Sequence, residues 1–549
     1  MLFLFLIISY ATTSFAQRTV GLLSYNINKT FPGYNLIYPH NQPTVFLLNN
    51  CGEVVHSWPD EGIWRPGNTA YILENGYLVK TKRHNVFQND PIWAGGGGAI
   101  VEIRDWNNNL VWQFEQNDAT ARLHHDIKVL PNGNIVMISW ESKTESEAIQ
   151  AGRNPALLPQ GKLWPDYILE VNPTNNEMVW EWHAWDHLIQ DFDPEKDNYG
   201  EVRNHPELID LNWDTSDGHP DWMHVNAIDY NAELDQLLIS VPTFHEVWVI
   251  DHSTTIEEAA GHTGGRGGRG GDLLYRWGNP QTYRNGTAAD QKLFYPHHIH
   301  WVGPFLDASH PHYGKMAAFN NRVSAKFSTV NVFDPAFDQD TWSYPMQNGR
   351  WLPDFFDLSL THPDTFQINS TGLSSVQLLP NGNVLICSGR WGYAFELTPE
   401  QEIVWEYRTP LSGGSSVLQG QELGIGTNAT FKMDRYPLDY PAFIDKDMSS
   451  KGVLEQGAAP GFCERLTPAT SVFQQDAFTF YPNPANHEVI LEWKGNQETL
   501  LQIFNLSGQI KQEIRLAPGQ RKLDITSWKP GVYFLRVLNG ATAKLLIQP

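Results

Sequence analysis

Two hairpin motifs alternate along most of this chain, and their alternation restricts the possible fold more than any other feature. The first motif is an apolar strand, a turn and a Trp-containing strand. Its six copies are VFLLNNCGEVVHSW (45–58), IVEIRDWNNNLVWQF (100–114), ILEVNPTNNEMVWEW (168–182) and looser versions at 247–277, 330–344 and 394–407. The second motif is a pair of apolar runs joined by a tight turn, often Asn-Gly, which is a strong hairpin signal. Its copies begin at Asn68, His125, His224, His298 and Ser374.

Together the two hairpins predict a repeated four-stranded antiparallel unit. Five such units follow one another from residue 68 to residue 407, and the Trp motif at 45–58 is left over. We expect it to complete a sixth unit with strands from the segment after residue 407, such as TNATFKMDRYPLDY. The repeat therefore predicts an all-β fold, a six-bladed β-propeller closed by its two ends. An array of β-sandwiches is the alternative, which six copies at propeller-like spacing disfavour.

The two ends of the chain differ in character from the repeats. MLFLFLIISYATTSFAQ has an apolar core followed by small residues, so we predict a signal peptide over 1–16. This run is shorter than the ~20 apolar residues that a membrane span needs, and no later segment qualifies. We assign 17–465 to the propeller, 466–477 to a linker, and 478–549, with its short alternating strands, to a small C-terminal β-sandwich.

Charge and cysteine content narrow the partners and the compartment. The formal net charge of −23 argues against nucleic acid or an anionic membrane surface as a partner. An anionic substrate would need a local cationic pocket. Of the three cysteines, Cys387 lies in an apolar run and is expected to be buried, whereas Cys51 and Cys463 are the expected pair if a disulfide forms.

Three histidines share one position in the repeat. Aligned on their turns, the hairpins place His125, His224 and His298 at the start of the first strand of three successive units. The first strand of a propeller blade runs along the central channel, so we expect these side chains to point at one another. Because side chains alternate along a strand, His300 should share the face of His298, and His297 should point away.

The next strand of each hairpin brings the chain back to the same face. The residues near this return point are Arg83, Glu141, Pro242–Thr243, Arg322 and Arg390. Arg322, Arg390 and Arg83 are therefore predicted to bind substrate in a positive pocket suited to a small oxyanion. A zinc site made from the three histidines is the alternative, and neighbouring arginines would oppose a metal cation.

Two glycine-rich runs, AGGGGA (94–99) and HTGGRGGRGGD (262–272), match no nucleotide-binding motif. We interpret both as flexible loops, the second lining the mouth of the channel. We predict no cofactor and no metal in the active site.

Several segments, taken in order, resemble the bacterial arylsulfate sulfotransferase family over roughly residues 35–465. They are HHDIKVLPNGN (124–134), WMHVNAIDY (222–230), EVWVIDHSTT (246–255), GGDLLYRWGNP (270–280) and HHIHW (297–301). The resemblance implies a six-bladed propeller that moves a sulfuryl group from one phenol to another without a nucleotide donor. By position, His298 matches the nucleophile that becomes a sulfohistidine, and His125 and His224 match the two other channel histidines. The family's additional arginine falls at SVPTFHE, where Pro242 or Thr243 stands instead.

The predicted function is therefore ping-pong sulfuryl transfer between small aryl sulfates and phenols. His298 would attack sulfur, and His224 and the arginines would hold the sulfuryl oxygens. His125, with His124 as its competitor, would carry the phenol proton. The candidates for holding the aryl ring are Trp64, Trp93, Trp222 and Phe244. The alternatives are a non-catalytic propeller that binds a sulfated or polymeric exported ligand, and a metal-dependent hydrolase or lyase.

The segment from FTFYPNPANHEVILEW through LDITSWKPGVYFLRVLNG resembles the type A sorting domain of the type IX secretion system. This resemblance implies passage across the outer membrane, with the type IX secretion machinery as a partner. It also implies that the C-terminal domain is removed or attached to the surface. The protein is therefore expected to be secreted or at the cell surface.

Overall fold

The computed structural model describes residues 18–60, 65–83, 90–303, 305–459, 461–463, 478–483, 485–494, 498–505, 510–537 and 542–547. The predicted signal peptide and linker lie outside these residues. The chain divides into two compact units, residues 1–460 and 461–549. The described part is all-β, as predicted, with only two α-helices, Glu145–Gln150 and Ile256–Ala259.

Among the described residues of the first unit, six antiparallel sheets have four or more strands. We number these sheets in chain order and count the strands of each from its inner edge. The strands of sheet 1 are Thr430–Pro437, Gly33–Pro39, Val45–Asn49 and Val54–Trp58. Those of sheet 2 are Arg65–Ile72, Leu78–Arg83, Ile100–Arg104 and Leu110–Glu115. Those of sheet 3 are Ala121–Val129, Ile135–Glu141, Asp166–Asn172 and Glu177–His183.

Sheets 4 to 6 repeat the same order. The strands of sheet 4 are Ala227–Asn231, Gln236–Val241, Glu246–Asp251 and Tyr275–Trp277. Those of sheet 5 are Pro296–Trp301, Met316–Asn320, Thr329–Phe333 and Leu358–Leu360. Those of sheet 6 are Ser375–Leu378, Val384–Ser388, Tyr393–Leu397, Ile403–Arg408 and, as a fifth strand, Gly21–Tyr25. The remaining short strands pair as Lys143–Thr144 with Lys162–Leu163, Leu188–Ile189 with Ile209–Asp210, Met346–Gln347 with Arg350–Trp351, and Leu411–Ser412 with Ser415–Ser416.

The inner strands place the six sheets next to one another in a cyclic order. The first strands of sheets 2 and 3, 3 and 4, 4 and 5, 5 and 6, and 6 and 1 lie in contact, and sheet 1 contacts sheet 2. Sheet 1 joins both ends of the unit, because Thr430–Pro437, from the segment expected to supply it, pairs with Gly33–Pro39. Arg435 of that strand is fully buried and pairs with Glu396 of sheet 6 and Asn35 of sheet 1.

The hairpin motifs correspond to the sheets with one correction. The turn motif forms the first two strands of a sheet, and the Trp motif forms the last two. In sheet 5 the predicted second half of the Trp motif, around Trp342, is not the fourth strand, which is Leu358–Leu360 instead. Trp342 has a φ of 50°, which an extended strand does not allow. Tyr344 is buried and donates a hydrogen bond to Gln236 of sheet 4.

A backbone irregularity recurs at the position that the hairpin motifs share. Pairing between the first two strands shifts register next to Asn68, His125 and His298. His125, His224 and His298 have φ values of 51°, 58° and 52°, and Ser374 has 93°. A β-bulge bends its strand and redirects side chains. The bulge therefore helps to set the side-chain directions at this position.

The second unit contains two antiparallel sheets. One is formed by Phe478–Tyr481, Glu488–Trp493 and Gly519–Asp524, and the other by Ile510–Leu516, Thr499–Asn505, Gly531–Val537 and Thr542–Ile547. Val489 and Leu523 of the first sheet and Leu501 and Leu535 of the second belong to one hydrophobic core.

The cysteines agree with the prediction. Cys51 and Cys463 are disulfide-bonded, and Cys387 is a buried free thiol. Within the described residues, no helix combines the length and apolar character needed to cross a bilayer.

Candidate active site

A cavity of about 410 Å³ lies where the six inner strands meet. Every sheet contributes at least one lining residue from its first strand. In the order of sheets 1 to 6, these include Asp434, Tyr71, Asp126, Asp229, His298 and Gln377. The cavity therefore opens along the shared centre of the sheets, where the sequence predicted the histidines to lie.

His298 lines this central cavity together with His300, and their ring centroids are 4.8 Å apart. The backbone N–H of Val376 donates to His298 Nδ1 over 3.5 Å. Burial, followed by the cationic influence of His300 and two lysines, holds the pKa of His298 well below its usual range. The imidazole is therefore neutral at physiological pH, the form in which a ring nitrogen can act as a nucleophile.

The two lysines beside His298 are Lys128 and Lys432, and the sequence prediction missed both. Lys128 Nζ lies 2.6 Å from Asp229. Lys432 Nζ lies 3.5 Å from Asp434 and 3.2 Å from the centre of the Tyr71 ring. Lys128 follows His125 by three residues, a spacing that could have suggested it. Lys432 lies on the strand that closes sheet 1, where no repeat motif fixes the register.

His125 and His224 form a second histidine group with ring centroids 4.6 Å apart. His224 Nδ1 lies 2.5 Å from Asp221 Oδ2, and the other oxygen of Asp221 accepts a hydrogen bond of 2.8 Å from Trp140 Nε1. A carboxylate at Nδ1 holds the hydrogen there, which leaves the lone pair of the neutral imidazole on Nε2. This arrangement suits His224 to accept a proton.

A series of close polar contacts also leads from Asp166 through His124 to His125. Asp166 Oδ1 lies 2.8 Å from His124 Nε2, and His124 Nδ1 lies 2.8 Å from His125 Nδ1. Burial and the nearby Asp221 raise the pKa of Asp166 well above its usual range. Burial, then His224, His124, His297 and Arg122, lower the pKa of His125 well below its usual range. His125 is therefore a neutral imidazole and a weak base.

The structure brings two of the three predicted histidines into contact. Within the described residues, no ring contact or hydrogen bond joins His298 to His125 or His224. His297, which was expected to point away from the face of His298 and His300, is buried near the His125–His224 pair and is not among the described residues that line the central cavity. Phe431 lies 6.3 Å from His125 and 6.4 Å from His297, ring centre to ring centre. The difference from the prediction lies at His298, which faces the cavity beside His300 and, in the part of the chain that the structure describes, does not contact the other two histidines. The bulge at His298 redirects its side chain.

The first glycine-rich run packs directly against this histidine pair. His125 N–H donates to Gly97 O over 2.7 Å. A Cβ on Gly96 would lie 2.2 Å from His125 Cε1, and a Cβ on Gly95 would lie 3.4 Å from His224 Cε1. Gly96 also has a φ of +108°, which side chains disfavour. The run predicted to be a flexible loop is thus a close-fitting wall of the site.

The predicted arginines occupy two places. Arg83 lies with its guanidinium 3.9 Å from the centre of the Trp93 ring. Arg83 and the exposed Arg390 both lie near His40, where burial and these two cations lower the pKa of His40 to about 4. The fully buried Arg122, which the sequence prediction missed, lies 5.1 Å from the same Trp93 ring. Glu141 pairs instead with Lys143 and His183.

The third predicted arginine, Arg322, lies near the segment SVPTFHE, where Pro242 or Thr243 stands at the position of the family's additional arginine. Its guanidinium is 3.6 Å from the centre of the Tyr295 ring. Burial and Arg322 lower the pKa of His245, the last residue but one of SVPTFHE, to about 4. Thr243 of that segment donates its hydroxyl to the carbonyls of Trp222 and Met223, over 2.6 and 2.9 Å. Thr243 therefore fixes the backbone just before His224.

The residues predicted to hold the aryl ring also lie in different places. Trp222 and Phe244 are fully buried and pack on each other at 5.4 Å. Trp93 is half-buried beneath Arg83. Trp64 lies outside the described residues.

The fold and the site define an all-β protein with two histidines lining a central cavity and a second, more deeply buried histidine group. The chain belongs to the arylsulfotransferase (ASST) family, whose model matches residues 29–327. This match includes His125, His224 and His298. Residues 479–548 match the secretion system C-terminal sorting domain. This sorting domain indicates type IX secretion to the cell surface or the extracellular space.

None of the curated proteins compared with the chain matches it significantly. Among solved structures, the chain is similar to a protein of unknown function from Bacteroides caccae, with 12% identity, a TM-score of 0.39 and coverage of 74% of this chain and 98% of that one. Virginiamycin B lyase from Staphylococcus aureus matches with 10% identity, a TM-score of 0.31 and coverage of 72% and 89%. A putative 6-phosphogluconolactonase from Bacteroides fragilis matches with 12% identity, a TM-score of 0.31 and coverage of 78% and 100%. At these TM-scores the likenesses carry no functional argument.

Proposed function

We propose that this chain is a secreted aryl-sulfate sulfotransferase that works through a covalent sulfohistidine. The proposed organisation is a signal peptide (1–16), a six-bladed β-propeller (17–465), a linker (466–477) and a sorting β-sandwich (478–549). The observation that carries the proposal is the arylsulfotransferase family match over residues 29–327, which includes all three registered histidines. The cyclic contacts of the six sheets and the shared central cavity support the propeller.

In the first half-reaction, a ring nitrogen of His298 attacks the sulfur of an aryl sulfate. The N–S bond forms, the bond from sulfur to the aryl oxygen breaks, and the aryl oxygen leaves as a phenolate. A phenolate is a stable leaving group, so this step needs little protonation. The low pKa of His298 supports its role, because the nucleophile stays unprotonated.

In the second half-reaction, an acceptor phenol loses its proton and its oxygen attacks the sulfur of the sulfohistidine. The N–S bond then breaks and His298 is restored. We assign the phenol proton to His224 Nε2, because Asp221 stabilises the imidazolium that results. His125, whose low pKa makes it a weak base, serves instead as a neutral hydrogen-bond donor. The contacts thus favour exchanging the roles that the sequence suggested for these two histidines.

Cations would stabilise the charge on the sulfuryl oxygens in the transition state. Lys128 and Lys432 both lower the pKa of His298 through their charge, and Lys432 Nζ is buried with no hydrogen-bond partner among the described residues. Arg322 lies beside SVPTFHE and is the proposed replacement for the family arginine, with Arg83 and Arg390 as further substrate-binding residues. Lys128 is the proposed cation within the cavity itself, where it lies among the carboxylates of Asp126, Asp229 and Asp434.

The test is to incubate the protein with 4-nitrophenyl sulfate and to locate any added sulfuryl group by fragmenting the peptide that contains residues 293–302. We expect the group on His298, and we expect its loss together with phenol transfer in H298N. H297N is the matched control, which alters the neighbouring residue. A sulfuryl group on His297, or full turnover by H298N, refutes the assignment.

The same assay separates the other functions. Binding of the aryl sulfate without release of 4-nitrophenol would support a non-catalytic propeller. Loss of activity after chelation of metals, followed by recovery with added metal, would support a metal-dependent hydrolase or lyase.

A further inference from the structure

The second glycine-rich run, HTGGRGGRGGD, carries a group of potential metal ligands away from the central cavity. His262 begins this run, Asp272 ends it, and both lie next to His187, which follows sheet 3. One potential ligand atom from each of the three residues lies within 4.8 Å of those of the other two. His187 Nδ1 and His262 Nδ1 each lie 2.8 Å from Asp272 Oδ1.

The surroundings of His187 determine which of its nitrogen atoms is available. His187 is fully buried, and its ring stacks on Trp182 with centres 5.6 Å apart and planes 4° apart. Its Nε2 lies 2.8 Å from the carbonyl oxygen of Ala259. A carbonyl oxygen accepts hydrogen bonds, so Nε2 carries the hydrogen and the neutral ring keeps its lone pair on Nδ1. That lone pair then faces the carboxylate of Asp272, and a cation between the two would remove the repulsion.

Metal-binding histidines commonly donate their second N–H to a backbone carbonyl or a carboxylate, as His187 does to Ala259. The loop itself is closely fitted here, because Trp182 Nε1 donates to Gly271 O over 2.7 Å. A Cβ on Gly271 would lie 2.5 Å from His187 Nε2. Packing thus holds His187 and the backbone next to Asp272 in place. Of the two loop arginines, Arg266 is directed elsewhere, towards the carbonyl of Glu233 and the ring of Trp342.

We propose that His187, His262 and Asp272 bind a Zn²⁺-class transition-metal ion that fastens this loop to sheet 3. Two imidazole nitrogens and one carboxylate oxygen form a donor set that Zn²⁺ accepts, whereas Ca²⁺ and Mg²⁺ prefer oxygen ligands alone. Asp272 is buried and His262 is largely exposed, with 60% of its side chain accessible, so a water molecule can complete the coordination. The role is structural, because the ligands lie outside the lining of the central cavity.

The experiment uses the full chain, freed of metal with a chelator and then titrated with ZnCl₂, with bound zinc counted by mass spectrometry after gel filtration. We expect wild-type protein to retain one zinc more than H262A, and D272N to bind at least ~100-fold more weakly. H262A changes an exposed side chain, so it should fold normally. H205A is the matched control, because His205 is also an exposed histidine next to a carboxylate, 3.0 Å from Glu207.

Two results overturn the proposal. In the first, wild-type protein and H262A both retain the same amount of zinc. In the second, neither protein retains zinc. In the second case a proton on His187 Nδ1, not a metal, joins the ring to Asp272. A zinc ion lost in H224A but kept in H262A would place the metal at the central histidines instead. H262A is expected to keep full sulfuryl transfer, so failure of this proposal is distinct from failure of the proposed enzyme activity.

Discussion

Replacing Asp221 with asparagine tests how the carboxylate directs His224. Asp221 accepts two hydrogen bonds, 2.5 Å from His224 Nδ1 and 2.8 Å from Trp140 Nε1. In D221N the amide oxygen can keep the bond from Trp140, which turns the amide NH₂ towards His224. Nδ1 then becomes an acceptor, the hydrogen moves to Nε2, and the lone pair assigned to accept the phenol proton is lost.

The expected loss of rate in D221N is the contribution of a general base. A positioned general base contributes ~10²–10⁴-fold to rate, which equals ~3–5 kcal/mol of barrier. The fold should survive, because a neutral hydrogen bond replaces a charged one at a cost of ~1 kcal/mol. We therefore expect steady-state transfer to fall by ~10²–10⁴-fold in a folded protein.

The assay compares the burst of 4-nitrophenol with steady-state transfer to an added phenol. Because His224 is assigned to the second half-reaction, the burst should persist while the steady-state rate falls. D235N is the matched control, since Asp235 Oδ1 lies 2.8 Å from Nδ1 of another histidine, His252, away from the central cavity. A D221N rate within ~3-fold of both wild-type protein and D235N refutes the reasoning.

Three further results are expected. The burst rate should stay constant from about pH 7.5 to about pH 5.5, because the pKa of His298 is held well below its usual range. An exposed histidine with a pKa of ~6.5 would instead lose ~10-fold of its burst rate over this interval. A burst rate that falls with an apparent pKa near ~6.5 contradicts the prediction. G96A should lower turnover by ~10-fold or more, because the added Cβ meets His125. G268A is the control, because Gly268 also has a positive φ but has open space around it, and its turnover should not fall. Equal activities of the two variants contradict the role of the first glycine-rich run. Burial lowers the pKa of His252, but hydrogen bonds to Asp235 and Glu170 prevail and raise it to about 9. The pKa is thus above its unfolded value, so its stabilisation, at most ~3 kcal/mol, is complete below pH ~6.5 and lost as pH rises through ~9. Denaturant unfolding should show the gap between wild-type protein and H252N narrowing from pH 6 to pH 10, and a constant gap contradicts it.

The sequence predicted the sheets better than the side chains that meet between them. Asn-Gly turns and Trp strands are local features, so the repeat could be counted from residues 45 to 407. The strand Gly21–Tyr25 could not be foreseen, because it joins sheet 6 without a motif of its own. The fourth strand of sheet 5 is Leu358–Leu360 and not the predicted segment around Trp342, because Tyr344 of that segment contacts sheet 4.

The candidate site shows the same division. Register alone placed His125 beside His224, because it depends only on counting residues from a turn. It could not place His298, because the bulge changes side-chain direction without changing the count. Asp221 precedes His224 by three residues and could have been proposed from that spacing. Lys432 becomes a neighbour of His298 only after the last strand has joined sheet 1.

That last strand has a kinetic consequence for a protein that is exported. Arg435 binds Asn35 across 400 residues of sequence, so the inner edge of sheet 1 forms only when both ends of the unit are present. Closing a chain loop of this length costs ~5 kcal/mol of entropy, far more than closing a local hairpin. While this contact is missing, Gly33–Pro39 has an unpaired edge and Lys432 is absent from the surroundings of His298. Catalytic competence should therefore arise late in folding, after the final strand has been delivered.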